Sequence, residues 1–161
     1  MILRGALALA VLAGLAGATW ATQGAVRETG VSNPALARQN WILKCQGCHR
    51  SDATGTAETT PAMAGIVAKF LHVPGGREYL GQVPGVSTAP LADAELAELL
   101  NWTLYRFDGE HVPADFKPYS AAEIGRLRKA PLRVEAPAVR AALAEKINAL
   151  AEGAGSKIQG Q

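Results

Sequence analysis

Cys45-Gln46-Gly47-Cys48-His49 contains both cysteines of this 161-residue chain and one of its three histidines, and the reading of these five residues decides the rest. Two residues between the thiols form a tight turn that points both sulfurs the same way. Gly47 leaves that turn room, and an imidazole follows at once. Two cysteines and three histidines, with no second ligand pair at zinc-finger spacing, make a poor structural zinc site. A disulfide or a thioredoxin-like redox pair competes, since an exported chain can hold either. However, the pair follows a helical segment and not the strand of a βαβ unit, and the histidine would go unexplained. The same pattern is the attachment motif of a c-type haem: two thiols add to the vinyl groups of the porphyrin, and the histidine binds iron. One covalent haem c on Cys45 and Cys48, with His49 as iron ligand, is therefore the cofactor expected.

Upstream of the motif, Asn33-Pro34 opens a helix, the asparagine as cap and the proline at a first-turn position that needs no N–H. Small and apolar positions 37, 41 and 45 then recur every four residues, so one helical face delivers the chain to Cys45. Residues 22–32 lack an apolar period and read as a linker. Residues 1–21 carry an early Arg4, an apolar run from Gly5 to Ala18 and small residues around Ala16-Gly17-Ala18, the pattern of a cleaved secretory signal. That apolar run is shorter than the roughly 20 residues a membrane-spanning helix needs, so no transmembrane anchor is expected. Lysine and arginine total 16 against 14 acidic residues. This balance gives no basic footprint for nucleic acid.

Residues 34 to 107 resemble a class I cytochrome c domain. The family opens on a helix with a small residue and an aromatic at the eighth and fourth positions before the first haem cysteine, here Ala37 and Trp41. After the haem histidine it has a short Asp/Gly loop and a Pro-x-Leu-x-Gly-like segment, matched by Ser51-Asp52-Ala53-Thr54-Gly55 and Pro61-Ala62-Met63-Ala64-Gly65. The resemblance implies that the Pro61 carbonyl accepts a hydrogen bond from the iron-bound His49, a contact that fixes the ring. The family's last core helix falls at about Asp93 to Phe107, with Leu96, Leu99, Leu100, Thr103, Leu104 and Phe107 spaced by three and four. Trp102 takes the place of its packing aromatic. Both tryptophans read as core residues, not electron relays.

The sixth iron ligand departs from the pattern. Where the family often places Met-Pro ahead of the last helix, this chain has Val83-Pro84, and valine cannot bind iron. Met63 matches a leucine that packs on the histidine side of the haem. His72 lies between the proximal segment and Val83-Pro84, where the chain passes toward the distal face, and is the leading expectation. Met63 is the alternative, an open position a third, and His111, beyond the last core helix, a weaker candidate. A second imidazole would hold ferric iron better, a thioether would raise the potential, and an open site would admit small ligands.

Beyond the core, Ser120-Ala121-Ala122-Glu123 matches a capping box, and Pro137 begins a helix whose Val139, Leu143, Ile147 and Leu150 form one apolar edge. That edge either covers the domain or docks on a partner, holding the chain in a dehydrogenase complex. The fold expected is all-α, a class I cytochrome c fold around one haem (33–110) with a helical C-terminal extension (111–152) and a glycine-rich disordered tail (153–161). No serine–histidine or paired-carboxylate arrangement suggests hydrolysis, so an electron-transfer protein is expected and not an enzyme. The corresponding location is the periplasm, and the partners are redox proteins: a periplasmic dehydrogenase and a terminal electron acceptor.

Overall fold

Asn33 opens the first helix as its chemistry dictates, its side-chain oxygen accepting the Leu36 N–H at 3.0 Å with Pro34 just inside. The computed structural model describes residues 29–56 and 59–158, the side chains from Ala154 onward excepted. The expected signal segment, most of the linker and residues 159–161 lie outside the described residues.

In chain order the helices are α1 (Pro34–Lys44), α2 (Gln46–His49), a 3-10 turn (Val67–His72), α3 (Gly76–Gln82), α4 (Pro84–Ser87), α5 (Asp93–Asp108), a 3-10 turn (Gly109–His111), α6 (Ala121–Leu127) and α7 (Ala136–Ile158). No strand occurs among the described residues, apart from one isolated bridge between Thr56 and Thr60. The all-α expectation stands. Ala92 has no oxygen to cap α5, and Glu95 instead reaches back to its N–H at 3.3 Å.

Alpha-helices this short are marginal alone, so tertiary packing has to hold them. Trp41 of α1 is 3% exposed and lies 4.6 Å, ring centre to ring centre, from Phe107 of α5, with Trp102 at 6.2 Å. Tilted aromatic pairs of this kind add about 0.5–1.5 kcal/mol beyond the area they bury. At the other end of the same contact Glu98 of α5 accepts from the Ser32 hydroxyl at 3.0 Å and from the Asn33 N–H. α1 is thus pinned to α5 at both ends, and the residues that follow it inherit a fixed position.

The extension is fastened to the core by polar clamps as well as apolar contact. Asn101, fully buried on α5, accepts from the Tyr119 N–H at 2.8 Å and donates to the Tyr119 carbonyl at 3.0 Å. It thereby satisfies an irregular stretch that no helix ladder serves. Arg77 of α3 makes a two-pronged pair with Glu123 of α6 at 2.6 and 2.7 Å, and its guanidinium stacks 4.2 Å from the Tyr119 ring. Gly76 is required where α3 starts, because a Cβ there would fall 1.9 Å from the Phe70 carbonyl oxygen.

The apolar edge of α7 turns inward: Leu143 is buried against Phe70, Val73 and Tyr79, with Val139 and Ile147 beside it, while Leu150 is exposed. The helix runs to Ile158, past the Gly153 where a disordered tail was expected, and this corrects that boundary. Glycine costs a helix only about 1 kcal/mol relative to alanine, too little to break one already started.

Replacing Asn101 by leucine strands a buried donor and a buried acceptor of Tyr119, and should destabilise the protein by about 2–4 kcal/mol. Urea unfolding of wild type and Asn101→Leu measures it.

Candidate functional site

Cys45 is the residue at which α1 ends, its N–H still bonded to the Trp41 carbonyl at 2.9 Å. α2 is one turn long and carries Cys48 and His49, so the turn inferred from the spacing is an actual helical turn. The two cysteines are free thiols, Cys45 half-buried and Cys48 exposed. Burial, and then the neighbouring Cys48, push the Cys45 thiol up to about 11. A redox-active Cys-x-x-Cys pair is favoured by a lowered thiol, which burial opposes at Cys45.

Both thiols and His49 line a cavity of about 770 Å³. Leu96, Leu99, Leu100 and Leu104 of α5 form its floor. The segment after His49 (Thr59 to Met63) and the segment from Tyr79 to Val86 form further walls, and Ala136, Pro137 and Arg140 bring the start of α7 to the rim. The volume lies in the usual range for cofactor sites, about 300–1,000 Å³, and the lining is mainly apolar.

His49 is held by its own loop. Arg50 and Ala53 both adopt positive φ, 63° and 61°, and Gly55, at +68°, lies where a Cβ would come 2.2 Å from the Thr60 carbonyl oxygen. The Gly55 N–H returns to the His49 carbonyl at 3.1 Å, and the Met63 N–H to that of Ala53 at 2.8 Å. Gly65 anchors this loop to α5 through the Phe107 carbonyl at 2.9 Å. Left-handed backbone at two non-glycine residues beside the functional histidine is strain that the surrounding fold has to hold. Burial lowers the His49 pKa, and the nearby Pro61 carbonyl works against this; burial thus favours the uncharged ring that metal ligation requires. Nδ1 is buried without a hydrogen bond of full geometry. These features suit a flat apolar macrocycle carrying a metal: two thiols and an imidazole at one mainly apolar cavity.

Of the residues singled out in the sequence, the structure gathers Cys45, Cys48, His49, Pro61 and Met63 at one cavity. His72 is not brought there. It is exposed at the end of its 3-10 turn, and its Nε2 donates to the His111 carbonyl at 2.8 Å, leaving that nitrogen no lone pair. His111 is likewise elsewhere, its Nδ1 2.5 Å from the buried Asp108, whose other oxygen accepts the Ala68 N–H at 2.7 Å.

Sequence reasoning passed over Arg128. From the end of α6 it donates to the carbonyls of Ser87, Ala89 and Leu91 at 3.2, 2.5 and 2.9 Å and to Asp93 at 3.0 Å. It fastens the loop between α4 and α5, which borders the cavity. Only its place at a helix C-terminus, where a cation is favoured, marked it in the sequence.

The chain is 35% identical over 103 residues to "Cytochrome c-552" of Thermus thermophilus, a match covering 53% of this chain and 79% of that relative. It has the same identity to the "Cytochrome c-552" of a particular strain of Thermus thermophilus, covering 70% of that protein. No protein-family model matches the chain, and no solved structure does.

Replacing Arg128 by glutamine removes the bonds that tie residues 87–91 to the end of α6. Hydrogen bonds to a charged group contribute about 1.5–3 kcal/mol when buried, and this one is partly exposed, so a loss of about 2 kcal/mol is expected. Faster amide hydrogen exchange confined to this loop would show it directly.

Proposed function

The chain belongs to the class I c-type cytochromes, and from that premise we propose that it is a periplasmic electron carrier with one haem c, linked through Cys45 and Cys48, coordinated by His49 and steadied by Pro61. The haem supplies the one-electron chemistry; the polypeptide binds it, orients it and excludes water.

The observation that carries this reading is the convergence of both thiols and His49 on one mainly apolar cavity. α1 and α2 present the sulfurs at the cavity edge, and the exposed Cys48 brings that edge to the surface, where an electron can pass to a partner without opening the protein. The Pro61 carbonyl beside His49 would fix the plane of the imidazole and strengthen it as a ligand. α5 and the start of α7 keep bulk water off the remaining surface. Acid–base chemistry is not required of any side chain, since these cytochromes transfer electrons and are not enzymes.

Redox proteins are the partners, and a dehydrogenase as donor with a downstream acceptor fits a carrier of nearly balanced charge. No helix among the described residues is long and apolar enough to cross a membrane. The apolar edge of α7 is used on the domain itself through Leu143. This favours a diffusing carrier over a subunit held in a complex by that edge.

Protein matured in a host with working haem-attachment machinery should have the mass of polypeptide plus one haem and give a reversible one-electron wave in voltammetry. The Cys45→Ala/Cys48→Ala variant should lose the covalent haem completely. A colourless wild-type product with the mass of bare polypeptide would overturn the proposal.

A further inference from the structure

Resting on that haem assignment, we infer that none of the described residues supplies a second axial ligand, and that the apolar part of the cavity lined by the segment before α5 is a binding site for a small neutral diatomic ligand of the iron. Apart from the attachment residues, the described side chains on the cavity that could offer a sulfur, an amine or a phenol are Lys44, Met63, Tyr79 and Tyr119.

Each of these is accounted for. Lys44 is exposed at the end of α1 and directly precedes Cys45, so it stands at the thioether edge. Met63 belongs to the loop wrapped around His49: its N–H is bonded to Ala53 and the loop returns to the His49 carbonyl through Gly55. Its backbone is thus tied to the loop that holds His49. The Tyr119 hydroxyl donates to the Arg77 carbonyl at 2.8 Å. Tyr79 is buried in a stack with Phe70, ring centres 5.2 Å apart, and burial raises its pKa, so it keeps its proton and is a poor ligand. His72 and His111 are tied to each other and to Asp108 away from the cavity.

The segment before α5 brings Leu80, Val83, Pro84 and Val86 to the cavity, joined by Arg140 from α7. None of the apolar four can bind iron, and a guanidinium has no lone pair to offer. An axial ligand ordinarily also staples its loop to the cofactor. Here Arg128 does the stapling, with three carbonyl bonds across Ser87 to Leu91 and a fourth contact to Asp93. The loop keeps its place without a bond to iron. An apolar wall beside an open coordination position suits a neutral diatomic better than an anion, whose charge would have to be desolvated there.

Carbon monoxide is the probe, added to the reduced, haem-loaded wild-type protein under stopped flow. Expected is a complete shift of the Soret band with one carbon monoxide per haem and a rate proportional to its concentration, together with a high-spin ferric spectrum before reduction. A low-spin protein inert to carbon monoxide would overturn the inference. So would a rate independent of carbon monoxide concentration, because a protein side chain would then be leaving first. A low-spin wild type made reactive by His72→Ala or by Met63→Leu would identify that side chain as the ligand and likewise end it. Mass spectrometry on the same sample separates the two levels: attached haem without carbon monoxide binding sinks this inference alone, whereas bare polypeptide sinks the cytochrome reading and this with it.

Discussion

Everything about the site depends on the packing of α1 against α5. A motif of five residues cannot hold a cofactor unless its own position is fixed, and here the helix that ends at Cys45 is fixed by Trp41 on Phe107 and Trp102 at one end and by Glu98 on the Asn33 N–H at the other. Truncating a buried tryptophan of this kind typically costs about 3–5 kcal/mol, a large share of a small domain's stability. The same α5 provides the leucine floor of the cavity and, through the Phe107 carbonyl, the anchor of the loop that carries Pro61. One helix pair therefore sets the thiols, the imidazole and the floor relative to one another.

The C-terminal extension completes the enclosure and is not an appendage. Asn101 fastens its first stretch, Arg77 with Glu123 ties α6 to α3, and Leu143 seats α7 over Phe70 and Tyr79. Ala136, Pro137 and Arg140 consequently reach the cavity, and the loop ahead of α5 is held from outside by Arg128. A domain of this size buries a smaller fraction of its surface than a larger one, and added helices raise that fraction. Here they also supply part of the cavity lining.

Much of the fold was legible because its signals are local. The Asn33-Pro34 start, the every-fourth-residue face leading to Cys45, the amphipathic stripe of α5 and the Ser120 cap each depend on residues within a turn or two of one another, and each appears where the pattern placed it. The end of α7 was misjudged because glycine content was read as a stop, when helix propagation tolerates an occasional glycine. His72 looked like a ligand because its place in the chain points toward the far face. A short 3-10 turn instead directs its ring to the His111 carbonyl, 39 residues away, a partner no periodicity could announce.

By itself the sequence determined the Cys45/Cys48 spacing of a covalent-haem motif, the residues proposed to attach the cofactor and meet the iron, and that the elements are helices, because bonding and helical periodicity are properties of neighbours along the chain. The tertiary structure decided which side chains line the cavity, that α7 packs on the domain, and that Arg128 secures a loop some 40 residues before it. Those outcomes depend on which surfaces meet in space, and side chains distant in sequence are brought together only when burial of the apolar faces forces the helices into one arrangement.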